Sequence, residues 1–354
     1  MKSRGGRGSP FPLLLIFSVL SLERTKRTKI SGRIHMKQDR RKPFIFPSMG
    51  VIAAFILLVI IFSAISKEFL TISTVAGILT IAAELGTVTL AVALLMISGE
   101  FDLSVGAVYA WAGVLLARLL SSGLNSFLSL LIVVLFALII GLINGSVTTK
   151  VKIPSFITTL GMMMALRGFL LIFTAGFPVS YKGQSFLIYL LNGKLASDFR
   201  VSSLWFLLFL LVFSFLLNRT RHGNWSLATG GSPEVARALG VKTARVKMIN
   251  FLLTALFAAI AGCFSFGRFK MAYPTLGTGL ELEAIASAVL GGCYLAGGYG
   301  TIVGAFFGAL VISSLRVGLV LIGAPAYWYQ AFIGVILVLG MIVNKEIMKR
   351  VLQA

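Results

Sequence analysis

Residues 70–97 read LTISTVAGILTIAAELGTVTLAVALLMI, and Glu84 is the one charged side chain in this run. A helix needs about 20 consecutive apolar residues to cross a hydrocarbon core of about 30 Å, so the run is long enough to span a membrane. The whole chain of 354 residues is 58% hydrophobic and only 12% charged. Soluble domains carry about 25% charged residues. The sequence therefore predicts an all-α integral membrane protein.

Similar apolar runs recur along the chain and predict about ten transmembrane helices. Six of them precede a basic loop at residues 218–247 and four follow it. Both numbers are even, so the loop and the two termini lie on one side of the membrane. Lys and Arg accumulate on the cytoplasmic side, which predicts a cytoplasmic location for all three. The predicted spans are 47–66, 70–97, 103–120, 127–147, 155–176, 203–217, 248–267, 283–297, 301–322 and 327–344.

The net charge of +21 is explained by basic residues in the termini and in the loops between spans. This distribution fits membrane orientation better than nucleic-acid binding. The chain divides into a basic N-terminal segment at 1–46, a transmembrane domain at 47–344 and a cytoplasmic tail at 345–354. Two interpretations of residues 1–35 stay open. Either translation begins at Met36, or the segment is a basic arm that lies on anionic lipid.

Within the basic loop, the residue order predicts a short capped helix. Ser232 suits the N-cap, because its hydroxyl can accept a hydrogen bond from a free backbone N–H. Pro233 suits the first helical position, and Glu234 interacts favourably with the helix dipole in the first turn. Gly240 can end the helix in the left-handed conformation. A helix of about two turns is expected.

Val235 and Leu239 are four residues apart and therefore share one face of this helix, whereas Arg237 lies off that face. So short a helix is marginal in isolation. It is expected to pack into a groove of a water-soluble partner. The alternative is an ordinary loop helix that lies on the membrane surface.

Four sequence blocks resemble the membrane permease subunits of ribose/xylose-type ABC importers, in the order found in that family. Residues 231–240, GSPEVARALG, resemble the coupling-loop motif. Residues 99–106, GEFDLSVG, resemble a second block, with Glu100 where the family has Gly. The others are 154–161, PSFITTLG, followed by Arg167-Gly168, and 283–300, EAIASAVLGGCYLAGGYG, with Tyr294 where Ser is usual. The resemblance covers about residues 50–344.

The resemblance implies a permease domain at 47–344 that forms the path for a small polar solute, such as ribose or xylose. Two copies, or this chain and a sister permease, would form the path in the bacterial inner membrane. A partner ATPase would use ATP and Mg, a periplasmic sugar-binding protein would deliver the solute, and this chain would bind no cofactor. The sequence has no Gly-x-x-x-x-Gly-Lys-Ser/Thr phosphate loop, as expected for a subunit that is not itself an ATPase. The residues implied in coupling to the ATPase are Gly231, Ser232, Glu234, Ala236, Arg237, Leu239 and Gly240.

Polar side chains within apolar runs are the candidates for the translocation path. Asp102 either caps a helix or contributes to a polar ring at the inner mouth of the path. Thr158 and Thr159 bond sugar hydroxyls or the carbonyls of their own helix. Arg167 either pairs with an acid such as Glu84 or lines the path. The candidates are Asp102, Ser104, Thr158, Thr159 and Arg167.

The glycines at 300, 304 and 308 form a double Gly-x-x-x-Gly pattern. Small residues at this spacing allow helices to approach closely in lipid, so Gly300, Gly304 and Gly308 are predicted to serve helix packing.

Two other function classes are less well supported by the sequence. An ion-coupled secondary transporter often places ionisable residues near the midplane. Glu84 and Arg167 are the candidates for that role, and an arginine stays protonated. For an integral membrane enzyme, the sequence shows no group of catalytic or metal-binding side chains within the spans, because His35 and His222 lie outside them. No metal site and no catalytic residue are predicted.

Overall fold

The computed structural model describes residues 48–353. The predictions for the basic segment 1–46, including a start at Met36, lie outside the described residues. The described part is almost entirely helical. Its helices, in chain order, are α1 (Met49–Ile65), α2 (Ile72–Ile97), α3 (Val105–Ser121), α4 (Ser126–Ser146), α5 (Ser155–Thr174), α6 (Phe186–Asn192), α7 (Val201–Arg219), α8 (Arg221–Gly231), α9 (Pro233–Ala238), α10 (Thr243–Phe269), α11 (Leu280–Leu290), α12 (Ile302–Leu321) and α13 (Ala326–Gln353).

Two short irregular features complete the described fold. A π-helical turn, Val147–Val151, directly follows α4. Strand β1 (Val179–Ser180) pairs antiparallel with β2 (Met271–Ala272), with Val179 opposite Ala272. This pairing joins the segment after α5 to the segment after α10.

Six helices of the described part are long and apolar enough to cross a membrane: α2, α4 with its π-helical extension, α5, α7, α10 and α12. Three shorter apolar helices are α1, α3 and the Tyr327–Gly340 part of α13. Together they support an all-α, multi-pass membrane protein. The number of ten spans and the side on which the termini lie stay predictions.

The predicted span at 283–297 has a different structure from the others. Helix α11 ends at Leu290, and at 1.5 Å per residue its 11 residues extend about 16 Å, roughly half of a hydrocarbon core. The chain then continues as a non-helical loop, residues 291–301, before α12 begins. Gly292, Gly297 and Gly298 adopt positive φ in this loop, which explains why a helix does not continue through it.

Helix α2 lies at the centre of the described fold. Every side chain from Leu85 to Ser98 is buried, and the helix packs against α7, α10, α11 and α12. Helix α10 packs in turn against α3 and α4. Close approach depends on small residues, because a Cβ on Gly262 of α10 would overlap the carbonyl oxygen of Tyr109 on α3. The peripheral helices α4 and α5 leave most of their side chains on the outside of the protomer.

Candidate functional site

Helix α9 has the capped geometry that the sequence predicts. The Ser232 hydroxyl accepts a hydrogen bond from the Val235 N–H at 3.4 Å, and Pro233 occupies the first turn with Glu234. Gly240 follows the helix with a φ of +86°. The short helix thus begins and ends through local chemistry of its own residues.

The two faces of α9 differ in burial. Ala236 is buried against the rest of the protein, whereas Val235 is 58% exposed and Leu239 79% exposed. Glu234 and Arg237 form an exposed ion pair, with 3.6 Å between Oε1 and Nη2. Val235 and Leu239 therefore form a small apolar surface within a polar loop, which suits docking into the groove of another protein.

Five glycines bring three separate backbone segments into contact beside α9. Gly230 lies in the last turn of α8, and a Cβ on it would overlap the Ile97 carbonyl oxygen and the Gly298 nitrogen. The Gly298 N–H donates to that carbonyl oxygen at 2.8 Å. A Cβ on Gly297 would lie 2.7 Å from the Cα of Gly99. We call this contact the glycine junction; its members are Gly99, Gly230, Gly231, Gly297 and Gly298.

Asp102 and Ser104 form a buried polar cluster with Asn144 of α4. One Asp102 carboxylate oxygen accepts from the Ser104 N–H at 2.8 Å and from the Ser104 hydroxyl at 2.6 Å. The Asn144 amide donates to the Ser104 hydroxyl oxygen at 2.9 Å. All three side chains are fully buried. The bonds from Asp102 close the turn directly before α3, whose N-cap residue is Ser104, and the second Asp102 carboxylate oxygen has no hydrogen-bond partner within the described residues.

The two threonines of α5 have different surroundings. The Thr159 hydroxyl donates to the Ser155 carbonyl oxygen at 2.8 Å and accepts from the Leu103 N–H at 3.0 Å, so it is fully engaged within the protein. Thr158 is half-buried, and its hydroxyl oxygen has no hydrogen-bond partner within the described residues. Of the two, Thr158 is the side chain with free hydrogen-bonding capacity.

Arg167 does not pair with Glu84, the acid that the sequence analysis named as its candidate partner; Glu84 pairs with Arg268 instead. The Arg167 Nη1 atom donates to the carbonyl oxygens of Pro274 at 2.9 Å and Leu276 at 2.7 Å. The physical reason is position: α5 packs on α3 and α4 at the periphery, whereas Glu84 lies on the central helix α2. Arg167 instead holds the irregular segment that precedes α11.

Glu281, in the first turn of α11, is an acid that lies close to Arg167 and interacts with it electrostatically. A Cβ on Gly106 would overlap the Glu281 Oε2 atom and lie 3.4 Å from the Arg167 Nη2 atom. The carboxylate and the guanidinium group therefore converge above the same glycine of α3. The sequence analysis missed Glu281, although an acid at the start of an apolar run is a visible signal.

Two arginine–glutamate pairs within the core were also missed. Arg268 lies 3.6 Å from the Glu84 carboxylate, which also accepts from the Tyr109 hydroxyl at 3.1 Å. Arg316 donates to the Glu283 carboxylate at 2.8 Å. The cations that balance Glu84 and Glu283 come from α10 and α12, and Arg316 lies within the apolar run of α12. Ionisable groups in the membrane domain are thus more numerous than the sequence analysis proposed.

The three predicted packing glycines do not form one helical stripe. Gly304 and Gly308 lie on α12, and a Cβ there would overlap the carbonyl oxygens of Gly291 and Ser287. Gly300 precedes α12, and a Cβ on it would lie 2.7 Å from the Ile97 Cγ1 atom. The close contact between α11 and α12 therefore involves Gly304 and Gly308, while Gly300 belongs to the loop beside α2.

Long apolar helices around a central helix, with the short capped helix α9 between α8 and α10, define the described part of the chain as a multi-pass membrane protein. Residues 68–341 match a family model described as "Branched-chain amino acid transport system / permease component". The chain belongs to this family of transport-system permease components. It is therefore a transporter subunit rather than an enzyme.

Several curated relatives cover most of the chain. It is 30% identical to the ribose import permease protein RbsC of Escherichia coli (strain K12) over 325 residues, which are 90% of this chain and 98% of that protein. It is 31% identical to RbsC of Bacillus subtilis (strain 168), over 85% of this chain and 94% of that protein. It is 33% identical to the xylose/arabinose import permease protein XylH of Sulfolobus acidocaldarius, over 82% of each chain. No solved structure matches.

Proposed function

We propose that this chain is the transmembrane permease subunit of an ABC importer for a small polar solute, most simply a monosaccharide of the ribose or xylose class. The relatives named above are import permeases for ribose and for xylose or arabinose. The observation that carries the proposal is the exposed apolar surface formed by Val235 of α9 and Leu239, its C-cap residue, on a membrane protein without a phosphate-binding loop. These features favour a partner-driven importer over an ion-coupled secondary transporter.

The proposed assembly follows from the predicted orientation of the spans. If the chain lies in a bacterial inner membrane with both termini on the cytoplasmic side, α9 also faces the cytoplasm, the compartment that contains ATP. A partner ATPase would hydrolyse ATP with Mg there, and an extracytoplasmic binding protein would deliver the sugar to the opposite side. Two permease subunits, identical or related, would enclose the path. This chain would hold no cofactor itself.

The proposed path runs beside the exposed side of α5. Arg167 and Glu281 supply hydrogen-bond donors and acceptors there, and the Thr158 hydroxyl oxygen, which is buried, has no partner in the described residues. Sugar hydroxyls both donate and accept, so this mixed set of groups is chemically suitable. Asp102, Ser104 and Thr159 are fully buried, and we assign them to holding the start of α3 against α5.

The docking role of α9 predicts a large effect of charge on its exposed face. In the double variant Val235→Asp/Leu239→Asp, two carboxylates would have to enter an apolar groove without partners, at a cost of several kcal/mol. We expect the ATPase to be lost from the affinity-purified permease, and ATP-dependent uptake in proteoliposomes to fall to background. Lys242→Ala, an exposed change in the same loop, is the matched control. Full ATPase recovery with the double variant would contradict the proposal.

The path assignment predicts a different phenotype for Arg167. Arg167→Met removes the two hydrogen bonds to the 274 and 276 carbonyl oxygens and the cation beside Glu281. We expect sugar uptake to fall by about 10-fold, consistent with the loss of one or two charge-assisted hydrogen bonds, while the ATPase remains bound. Arg118→Met, an exposed arginine at the end of α3, is the control and should leave uptake unchanged. Normal uptake with Arg167→Met would remove Arg167 from the path.

A further inference from the structure

A buried ion pair links the region after α9 to the loop between α2 and α3. Lys247 lies in α10 soon after α9, and its Nζ atom is 2.5 Å from the Glu100 Oε1 atom. The two side chains are only 18% and 12% exposed. Three ion pairs in the described part of the chain join residues distant in sequence, and this is the one beside the coupling loop.

The segment on the other side of α9 contacts the same α2–α3 loop. Gly230, at the end of α8, packs directly against the Ile97 carbonyl oxygen in the glycine junction. Helix α9 is therefore flanked by two attachments, one through Gly230 and the other through Lys247. Both attachments reach residues 97–100, so a displacement of α9 acts on this short loop from both ends.

The same loop is bonded to α5, which carries Arg167. The Phe101 N–H donates to the Ser155 hydroxyl at 3.2 Å, and the Leu103 N–H donates to the Thr159 hydroxyl at 3.0 Å. A continuous series of contacts thus runs from α10 through Glu100 and residues 101–103 to the start of α5. Such a series gives a physical route by which a displacement at α10 reaches α5.

We propose that Glu100 and Lys247 are positioning residues that couple movement of α9 to the path, so that ATP hydrolysis in the partner is converted into transport. This inference rests on the proposed function. The ion pair resists separation of α10 from the α2–α3 loop, because each charge would be left largely buried and unpaired if the two elements parted. Without the pair, only the contact through Gly230 still joins the α9 region to this loop, so less of a displacement of α9 reaches the loop and α5.

The test measures the number of solute molecules transported per ATP hydrolysed by the complete complex in proteoliposomes. The probe is radiolabelled ribose or xylose, with the partner ATPase and binding protein that co-purify with the permease. Glu100→Gln and Lys247→Met should each lower this ratio by a factor of at least about five, the lower end of the coupling factors typical of proteins. The ATPase should remain bound in both variants. The charge-exchanged variant Glu100→Lys/Lys247→Glu should restore much of the ratio.

The control is a second ion pair with ordinary surface exposure. Lys194→Met and Asp198→Asn break a pair with 3.7 Å between its charged atoms and side chains 64% and 49% exposed. These variants should leave the ratio at the wild-type value. An unchanged ratio in both Glu100→Gln and Lys247→Met overturns the inference, and so does a charge exchange that restores nothing. A wild-type complex that shows no ATP-dependent uptake would instead refute the proposed function.

Discussion

The variant Gly308→Leu is expected to yield little or no monodisperse protein. Gly308 lies where α12 crosses α11, and even a Cβ at this position would overlap the Ser287 carbonyl oxygen. A backbone atom cannot rotate away as a flexible side chain can, so the two helices would have to separate. Overpacking of a core costs about 1–3 kcal/mol where side chains can adjust, and we expect the upper end of that range or more here. The measurement is the monodisperse fraction in size-exclusion chromatography of detergent-solubilised protein.

Two further variants make this expectation quantitative. Gly308→Ala should show an intermediate loss, because it introduces the overlap with the smallest side chain. Gly334→Leu is the matched control: Gly334 lies on α13, and a Cβ there would meet nothing within 4 Å. The control should behave as the wild type does. Equal yields for Gly308→Leu and Gly334→Leu would show that α11 and α12 do not pack as closely as the structure indicates.

The features that could be predicted from the sequence are those set by local chemistry. Helix α9 is an example, because Ser232, Pro233 and Gly240 each act on backbone groups within a few residues of themselves. The apolar runs are a second example. The length and composition of each run limit it to a membrane-spanning or deeply buried helix. Nine of the predicted spans coincide with a long or short apolar helix in the described structure.

The half-length helix α11 shows where this reasoning stops. Residues 283–297 are apolar enough for a span, yet the structure has a helix only to Leu290 and then a loop. Hydropathy reflects the free energy of transferring side chains from water to an apolar environment, and it carries no information on whether the backbone is helical. Non-helical backbone is tolerated at membrane depth when protein surrounds it, and here the loop packs against Ile97 and Gly230.

Partner choice among polar residues was the least predictable feature of the candidate site. Arg167 and Glu84 both lie within apolar runs, and opposite charge alone suggested that they pair. The acceptors of Arg167 are backbone carbonyl oxygens at 274 and 276, which exist in every sequence and therefore give no signal. The glycine junction is similar, because the glycines are visible but the convergence of Gly99, Gly230 and Gly297 depends on the tertiary fold.

The second large effect is expected from Arg268→Met. This change leaves the Glu84 carboxylate, with a side chain only 13% exposed, without its 3.6 Å cationic partner. Removing one member of a buried pair costs about 3–5 kcal/mol, because the remaining charge is both desolvated and unpaired. A loss of this size should lower the apparent Tm in detergent by on the order of 10 °C. The measurement is the temperature dependence of the monodisperse fraction.

The double variant Arg268→Met/Glu84→Gln separates the loss of a favourable contact from the penalty of an unpaired charge. With both charges removed, the desolvation penalty disappears, and the neutral amide can still accept from the Tyr109 hydroxyl. We therefore expect the double variant to be more stable than Arg268→Met alone, because the main cost of the single change is the buried, unpaired Glu84 carboxylate. Arg118→Met is the control for loss of an exposed arginine. If the double variant were as unstable as the sum of the single variants, Glu84 and Arg268 would contribute to stability independently rather than as a pair.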